Sequence, residues 1–383
     1  MLISKPEQGV RRAGHLKAAV GGAVLAHLIL KDGETFTGHA PFAVGGSGEV
    51  VFTTAMAGYQ EILTDPSFAG QMVCMTFPEQ GIYGVHANLN EGTRPWAAGF
   101  ICRRITSLPD HAFAEGDLGS WLKRHRVAVI TEVDTRALTQ YVRDAGAQPG
   151  LIWTEADGPL AAGVAAAAQL PDMSGQALAG VVSCAARYEL TAANPAFRVA
   201  VLDGGIKTSI LNQLLLSGLD LEVFPWNTPA SELTAARFSG LFLGNGPGDP
   251  AALPGMCREV AACIGKLPIF GICLGHQLLG QAFGASTFKL KFGHRGANQP
   301  VLDLDTNQVE ITAQNHGFAV DEATLPPELR VTHRHLSDGT VEGFRHRTLP
   351  IFSLQHHPEA SPGPHDARGA FGRFLRMMEA HHA

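Results

Sequence analysis

The ten residues from Pro268 to Gln277 constrain the fold of this chain more than any other stretch. The apolar run 267–272 ends abruptly at Cys273, and Gly275 follows at the start of a segment with helical character. Strand, sharp turn and helix in this order form a nucleophile elbow, with a thiol where hydrolases of that layout carry a serine. The free N–H groups that begin the helix favour a thiolate and can also hold an oxyanion. The stretch therefore predicts a reactive cysteine at the C-terminal edge of a sheet.

A second segment supplies a base and an acid for such a cysteine. His357 follows the apolar run 351–354, so it also falls at the C-terminal end of a predicted strand, and Glu359 comes two residues later. A thiol nucleophile needs a base, and a third group commonly orients that base. A cysteine after an apolar run is more often a buried core thiol when it stands alone. Together, Cys273, His357 and Glu359 favour a catalytic triad.

Length and composition are those of a globular enzyme with two domains. The chain has 383 residues, of which 45% are apolar and 17% charged, and its formal net charge is −6. This balance gives no reason to expect nucleic acid or a membrane surface as a partner. The six cysteines show no Cys-x-x-Cys spacing. Reduced thiols in a cytoplasmic protein are therefore expected.

The chain divides into four predicted segments. The apolar stretch 18–30 is too short to span a membrane. Residues 1–22 are therefore expected to form a flexible extension rather than a membrane anchor. Residues 23–190 predict a mixed α/β domain of short strands and Gly-rich turns, and the polar stretch 191–196 predicts a linker. Strands and helices alternate from residue 197 to the elbow, which favours a doubly wound, mostly parallel sheet with sites at the strand C-termini for the domain 197–383. Residues 288–350 break this alternation, with strands predicted at 309–313 and 330–335 and residues 314–320 between them. The predicted fold class is therefore α/β throughout.

A glycine-rich loop, Asn245 to Pro250, follows another predicted strand. All of its residues are turn formers, so in isolation a simple turn explains the loop. Its position beside the elbow in the sheet order favours an oxyanion or substrate loop. Backbone N–H groups at Gly246 and Gly248 would then bind without a side chain in the way.

Two sets of motifs carry a resemblance to known families. The elbow 271–277 together with His357–Glu359 resembles the class I (triad) glutamine amidotransferases. In the first half, segments 48–52, 58–66 and 134–138 resemble the N-terminal domain of carbamoyl-phosphate synthase small chains. Other triad amidotransferases do not share that domain. The resemblance covers nearly the whole chain and implies that family and its fold.

The resemblance implies a role for each site residue. Cys273 would attack the side-chain amide of glutamine, His357 would act as acid and base, and Glu359 would orient His357. The residues that it places along the glutamine site are Gly246, Gly248, Leu274, Gln277, Asn315, Gly317 and Phe318. Ala55 stands where the family usually has a serine that contacts bound glutamine. A hydrogen bond lost there would weaken glutamine binding by on the order of 0.5–1.5 kcal/mol.

Partners and cofactors also follow from the resemblance. The ammonia would pass to a large chain that makes carbamoyl phosphate for arginine and pyrimidine synthesis, in a heterodimer or a higher oligomer. ATP and Mg²⁺ are expected on the large chain, because this chain has no Gly-x-x-x-x-Gly-Lys-Ser/Thr loop. No metal is expected here, since His294 and the segment 333–335 lack a carboxylate or cysteine at ligand spacing. Another triad amidotransferase and a catalytically weak regulatory subunit remain as alternatives.

Overall fold

Two sheets organise the fold of the computed structural model, which describes residues 23–383. The predicted extension 1–22 lies outside the described residues. The strands of the first half are β1 (Val24–Leu30), β2 (Thr35–Ala40), β3 (Gly46–Thr53), β4 (Gln71–Met75), β5 (Glu79–Gln80), β6 (Gly99–Ile101), β7 (Arg104–Ile105), β8 (Ala128–Ile130) and β9 (Gln148–Thr154). Its helices are α1 (Tyr59–Thr64), α2 (Leu118–Arg124), α3 (Thr135–Ala145), α4 (Leu160–Ala167) and α5 (Ala179–Val182).

The first sheet is mixed and has the strand order β2-β1-β9-β3-β4-β6-β8. The strands β3, β4, β6 and β8 run parallel, whereas β1 is antiparallel to both of its neighbours. Alternate residues of β3 point to opposite faces, so Val50 and Val51 enter separate apolar cores. Leu138 of α3 packs on one face and Leu122 of α2 on the other. This sheet with its two covered faces is a mixed α/β domain.

The second half contains the larger sheet. Its strands are β10 (Tyr188–Leu190), β11 (Phe197–Asp203), β12 (Leu219–Pro225), β13 (Gly240–Leu243), β14 (Ile269–Ile272), β15 (Thr287–Asp303), β16 (Gln308–Val320), β17 (Leu329–His335), β18 (Val341–His346) and β19 (Ile351–Leu354). Its helices are α6 (Thr208–Leu216), α7 (Ala230–Leu233), α8 (Pro254–Cys263), α9 (Leu274–Ala282) and α10 (Gly369–His382).

The larger sheet has the order β10-β12-β11-β13-β14-β19-β18-β17-β15-β16. The adjacent strands β12, β11, β13, β14 and β19 are parallel, and helices cover both of their faces. The strands β15 to β18 form an antiparallel extension at one side. The predicted α/β class with a doubly wound sheet is confirmed. The linker 191–196 stays a prediction, and β10 just before it already pairs with β12.

The register of the parallel strands brings three loops to one edge. Leu243 of β13 lies opposite Gly271 of β14, and Ile272 lies opposite Leu354 of β19. Residues that follow these strands therefore meet at the C-terminal edge of the sheet, where open α/β folds place their sites. Cys273 follows β14 directly.

Buried hydrogen bonds hold the first half against this edge. The Asn245 side chain is fully buried and donates from Nδ2 to Ser67 Oγ at 2.7 Å. The Glu91 carboxylate accepts hydrogen bonds from the backbone N–H and the hydroxyl of Ser209, at 2.9 and 2.8 Å, near the start of α6. The cavity at the edge therefore has walls from both halves of the chain.

The antiparallel extension differs most from the sequence-based expectation. No strand is predicted from the sequence for residues 287–303, which form the long strand β15. Residues 314–320, predicted to lie between strands, continue β16. Irregular register between β15 and β16 explains the difference, because bulges interrupt the alternation that identifies a strand. Among residues 23–383, no helix is long and apolar enough to cross a membrane.

Candidate active site

The elbow holds Cys273 in an unusual backbone conformation. Its φ is 53° and its ψ is −102°, a region that residues other than glycine seldom adopt and that often marks functional sites. A Cβ on Gly271 would lie 2.7 Å from the carbonyl oxygen of Gly275, so this tight turn requires glycine. The Cys273 N–H donates to the Leu354 carbonyl at 2.9 Å. Strand, turn and helix therefore follow one another as predicted from the sequence.

His357 and Glu359 form a buried pair at the same edge. His357 Nδ1 lies 2.7 Å from Glu359 Oε1. On the other side of the ring, Nε2 is buried and has no hydrogen-bond partner within residues 23–383. Burial lowers the pKa of His357, but the Glu359 carboxylate and the neighbouring Cys273 outweigh it and raise the pKa to about 10. Glu359 thus orients a protonated imidazole whose Nε2 is available for proton transfer.

A lysine that the sequence analysis missed fixes Glu359. Lys207 Nζ donates to Glu359 Oε1 at 2.9 Å and to the carbonyl oxygens of Ala360 and Ser361 at 2.7 and 2.9 Å. Burial raises the pKa of Glu359, but Lys207 and His357 together lower it to about 2. The carboxylate therefore stays ionised. The sequence did contain a signal for Lys207, because this residue lies shortly after β11 and so at the sheet edge that also holds Cys273.

A cavity in front of Cys273 collects most of the residues assigned to the glutamine site. The predicted residues that line it are Gly246, Gly248, Gln277, Asn315, Gly317 and Phe318. Leu274 is buried beside it, with its side chain against the backbone of Gly204 and Gly246. Gln277 Nε2 donates to the Phe318 carbonyl at 2.8 Å, which joins α9 to β16. The structure thus brings together three stretches that are far apart in the chain.

Position 55 and the cavity of Cys273 lie apart. Ala55 lines a neighbouring cavity with His357, whereas Ser67 lines the cavity of Cys273. The turn that follows α1 carries Ser67 to this position, where its N–H donates to Asp65 Oδ1 at 2.8 Å. The chain therefore has a serine hydroxyl at the Cys273 cavity, so Ser67 is a second candidate for the contact expected at position 55. The effect of Ala55 on glutamine binding stays a prediction. Ser67 could have been found in the sequence, because it directly follows the segment 58–66, which contributes to the family resemblance.

Two backbone N–H groups beside the Cys273 cavity are available to hold an oxyanion. The N–H of Leu274 follows the nucleophile directly, and the N–H of Gly246 belongs to the loop after β13. Neither group donates to another atom among the described residues. A Cβ on Gly246 would clash with the Gly204 carbonyl and come within 2.7 Å of Leu274. Only glycine therefore allows this loop to lie so close to the elbow. Gly248, at φ 92°, turns the loop against residues 176–178.

Two charged side chains that were not predicted also line the Cys273 cavity. Arg295 is buried and donates from Nε to Gln71 Oε1 at 3.0 Å, while Glu49 lies 3.9 Å from its guanidinium. Burial lowers the pKa of Arg295 to about 10, so the side chain is still charged at neutral pH. Arg295 was missed because β15, which carries it, was not recognised as a strand. Glu49 lies in the segment 48–52, which contributed to the family resemblance but received no role at the site.

A histidine-rich cluster lies behind the cavity wall. The sequence predicts no metal here, because no carboxylate stands at ligand spacing from His294. In the folded chain, Glu342 from β18 comes within 3.6 Å of His294, and His294, His335 and Glu342 offer ligand atoms within 4.8 Å of one another. Spacing along the chain therefore did not predict spacing in the fold.

Comparison with known proteins gives consistent matches. The family "Glutamine amidotransferase class-I" matches residues 200–377, and "Carbamoyl-phosphate synthase small chain, CPSase domain" matches residues 28–152. The carbamoyl phosphate synthase small chain of Chlorobaculum tepidum is 47% identical over 358 residues, covering 92% of this chain and 98% of its own. Those of Xylella fastidiosa (strain Temecula1) and Thermosynechococcus vestitus are each 47% identical over 375 residues, covering 93% of this chain.

The second sheet and its elbow define a class I glutamine amidotransferase domain. The first sheet then distinguishes this chain from other members of that class, because residues 28–152 match a domain specific to one of them. The chain belongs to the carbamoyl phosphate synthase small chain family.

Proposed function

We propose that this chain hydrolyses glutamine to glutamate and ammonia through a thioester on Cys273. The observation that carries the proposal is the convergence of three features at one sheet edge: the Cys273 elbow, the His357–Glu359 pair at 2.7 Å and the cavity lined by the glutamine-site residues. The matches to class I glutamine amidotransferases support the same chemistry.

The first half-reaction forms the thioester. The Cys273 thiolate attacks the side-chain amide carbon of glutamine, and the N–H groups of Leu274 and Gly246 stabilise the oxyanion. His357 Nε2 gives its proton to the amide nitrogen as the C–N bond breaks. Ammonia leaves, and the γ-glutamyl group stays bonded to sulfur.

The second half-reaction restores the enzyme. His357, now neutral, takes a proton from water while the water oxygen attacks the thioester carbon. The C–S bond breaks, glutamate leaves, and the thiolate and imidazolium form again. Glu359, fixed by Lys207, keeps the Nδ1 proton in place so that Nε2 is the nitrogen that transfers protons.

The charged pair in the cavity suits the amino-acid end of glutamine. The Arg295 guanidinium matches an α-carboxylate, and Glu49 matches an α-ammonium group. Replacing Arg295 with Met should therefore raise KM for glutamine at least about tenfold, since a charge-assisted hydrogen bond contributes roughly 1.5–3 kcal/mol. An unchanged KM would assign Arg295 to packing between the two sheets.

The ammonia serves carbamoyl phosphate synthesis on a large-chain partner, as the names of the relatives indicate. ATP and Mg²⁺ act on that partner, and the two chains assemble at least as a heterodimer. We place this activity in the cytoplasm, because the six cysteines are all unpaired thiols. Measuring glutamate release with and without the large chain, bicarbonate and ATP tests this assignment. A rate that rises with the partner supports coupling, and a rate indifferent to it contradicts coupling.

A further inference from the structure

A buried carboxylate behind the glutamine cavity lacks a partner. Glu342 of β18 is 0% exposed, and its Oε1 has no hydrogen-bond partner within residues 23–383. Two histidine nitrogens face this oxygen, His294 Nδ1 at 3.6 Å and His316 Nε2 at 3.8 Å. The two nitrogens lie 3.3 Å apart. Three atoms that bind metals therefore converge from three strands, β15, β16 and β18.

The outer partners of the two rings determine which nitrogen of each neutral ring faces Glu342 with a lone pair. His316 Nδ1 lies 2.8 Å from the Phe318 carbonyl oxygen, which only accepts, so Nδ1 carries the proton. His294 Nε2 lies 2.8 Å from Asp338 Oδ2, and the same argument puts its proton on Nε2. In a neutral ring the nitrogen that faces Glu342 carries a lone pair. Burial lowers the pKa of His294, but Asp338 and Glu342 outweigh it and raise the pKa to about 9. A cation that binds at the centre of these three atoms therefore displaces the proton on His294 Nδ1.

The distances fit a small divalent cation. The three atoms form a triangle with sides of 3.3, 3.6 and 3.8 Å, and the point equidistant from its corners lies about 2.1 Å from each. Zinc binds histidine nitrogen and carboxylate oxygen at about 2.0–2.2 Å. Two histidines and a glutamate are also a known zinc ligand set.

The surroundings resemble the outer shell of a metal site. Ligating histidines usually donate their second N–H to a carboxylate or a backbone carbonyl, as His294 and His316 do here. Glu342 Oε2 accepts a hydrogen bond from Gln314 Nε2 at 2.8 Å. Asp338, with 40% of its side chain exposed, connects His294 to the surface, which gives a cation a route inward.

We propose that His294, His316 and Glu342 bind one divalent cation of the zinc class. His335 stacks on His294 with ring centroids 4.1 Å apart, but it is not a ligand. Its Nδ1 accepts from the Ser337 N–H at 3.1 Å and its Nε2 lies 3.1 Å from Gln299 Oε1, so both of its nitrogens already have partners. The assignment depends on the three converging atoms and is independent of glutamine hydrolysis.

The cation would stiffen one wall of the glutamine cavity. Phe318 O accepts from His316 Nδ1 and from Gln277 Nε2, both at 2.8 Å. The Asn315 carbonyl, one residue before His316, lies 3.7 Å from Cys273 Sγ. A metal that holds the His316 ring therefore fixes the segment of β16 that faces the nucleophile. Its role here is positional, since it acts on the nucleophile through the backbone of β16.

The test is metal binding to the purified full-length chain. After removal of metals with a chelator, we expect about one Zn²⁺ per chain by titration against a competing dye, and a rise of a few degrees in Tm. Co²⁺ should give visible d–d absorption, and Mg²⁺ should not compete, because it prefers oxygen ligands. Glu342→Gln keeps the shape of the side chain and should weaken Zn²⁺ binding at least tenfold.

His333→Gln is the matched control, because His333 is a buried histidine of the same region outside the triangle. It should bind Zn²⁺ as the native chain does. If Glu342→Gln does not fold, ¹⁵N NMR of the native chain replaces it, since Zn²⁺ should shift His294 Nδ1 and His316 Nε2. A native chain that binds neither Zn²⁺ nor Co²⁺ overturns the proposal and assigns the central charge to a proton on His294. Equal binding by Glu342→Gln overturns it as well.

Discussion

Lys207 and Glu359 form a buried ion pair, with Nζ 2.9 Å from Oε1, on the same oxygen that His357 Nδ1 contacts at 2.7 Å. Both side chains are almost completely buried. The lysine therefore does more than balance a charge, because it fixes the carboxylate that orients the catalytic imidazole. Through two carbonyl oxygens it also holds residues 360 and 361, which follow the triad.

Lys207→Met should destabilise the fold and slow catalysis together. Removing one partner of a buried ion pair leaves the other charge uncompensated, which lowers the free energy of unfolding by about 3–5 kcal/mol. Lys31→Met is the control, since Lys31 pairs with Asp172 in an exposed salt bridge and should change stability by less than about 1 kcal/mol. Urea denaturation of both variants measures the difference. Equal effects would show that the buried pair has no special role.

Ser67→Ala and Ala55→Ser should differ in their effect on glutamine. Ser67 lines the Cys273 cavity and Ala55 does not. Loss of the Ser67 hydroxyl should raise KM roughly two- to tenfold, since one hydrogen bond contributes about 0.5–1.5 kcal/mol. Ala55→Ser should leave KM within experimental error. Steady-state kinetics of glutamate release decide between the two positions, and a lower KM in Ala55→Ser would return the serine role to position 55.

Glu359 should make stability depend on acid pH. Its folded pKa of about 2 lies below the ordinary value of 4.5, so its ionisation stabilises the fold fully above pH 4.5. That stabilisation is lost as the pH falls toward 2. Glu359→Gln has no such ionisation, so the native chain's advantage in unfolding free energy should shrink between about pH 5 and pH 3. If the unfolding free energies of the native chain and Glu359→Gln differ by a constant amount across this pH range, the assigned pKa is contradicted.

Gly246→Ala should disable the oxyanion loop without unfolding the chain. The added Cβ would push the loop away from Gly204 and Leu274, which misplaces the Gly246 N–H. Loss of one oxyanion donor lowers kcat by roughly 10²–10³-fold. Gly255→Ala in α8 is the control, because a Cβ there meets no atom within 4 Å. Native kcat in Gly246→Ala would exclude this N–H as a donor.

The parallel part of the fold was readable from the sequence. Runs such as 269–272 are apolar throughout because both faces of a parallel strand are buried, and each ends at a turn that marks the sheet edge. Cys273, the Gly246 loop and His357 follow such runs, so their meeting at one edge could be predicted before any contact was known.

The antiparallel extension was not readable in the same way. Bulges in β15 break the two-residue period, which hid the strand that carries His294 and Arg295. The approach of Glu342 to His294 depends on how β18, β17 and β15 stack side by side, and spacing along the chain contains no such information. Ser67 and Lys207 were missed for a related reason. Ser67 contacts Asn245 and Lys207 contacts Glu359, and each partner is far away along the chain.

Trapping the thioester tests the central claim most directly. Hydroxylamine attacks a γ-glutamyl thioester to give γ-glutamyl hydroxamate, which mass spectrometry detects. We expect hydroxamate from glutamine with the native chain in the presence of its large chain and none with Cys273→Ser. Hydroxamate from a folded Cys273→Ser chain, or glutamate release from the native chain without any trapped hydroxamate, would contradict the proposed nucleophile.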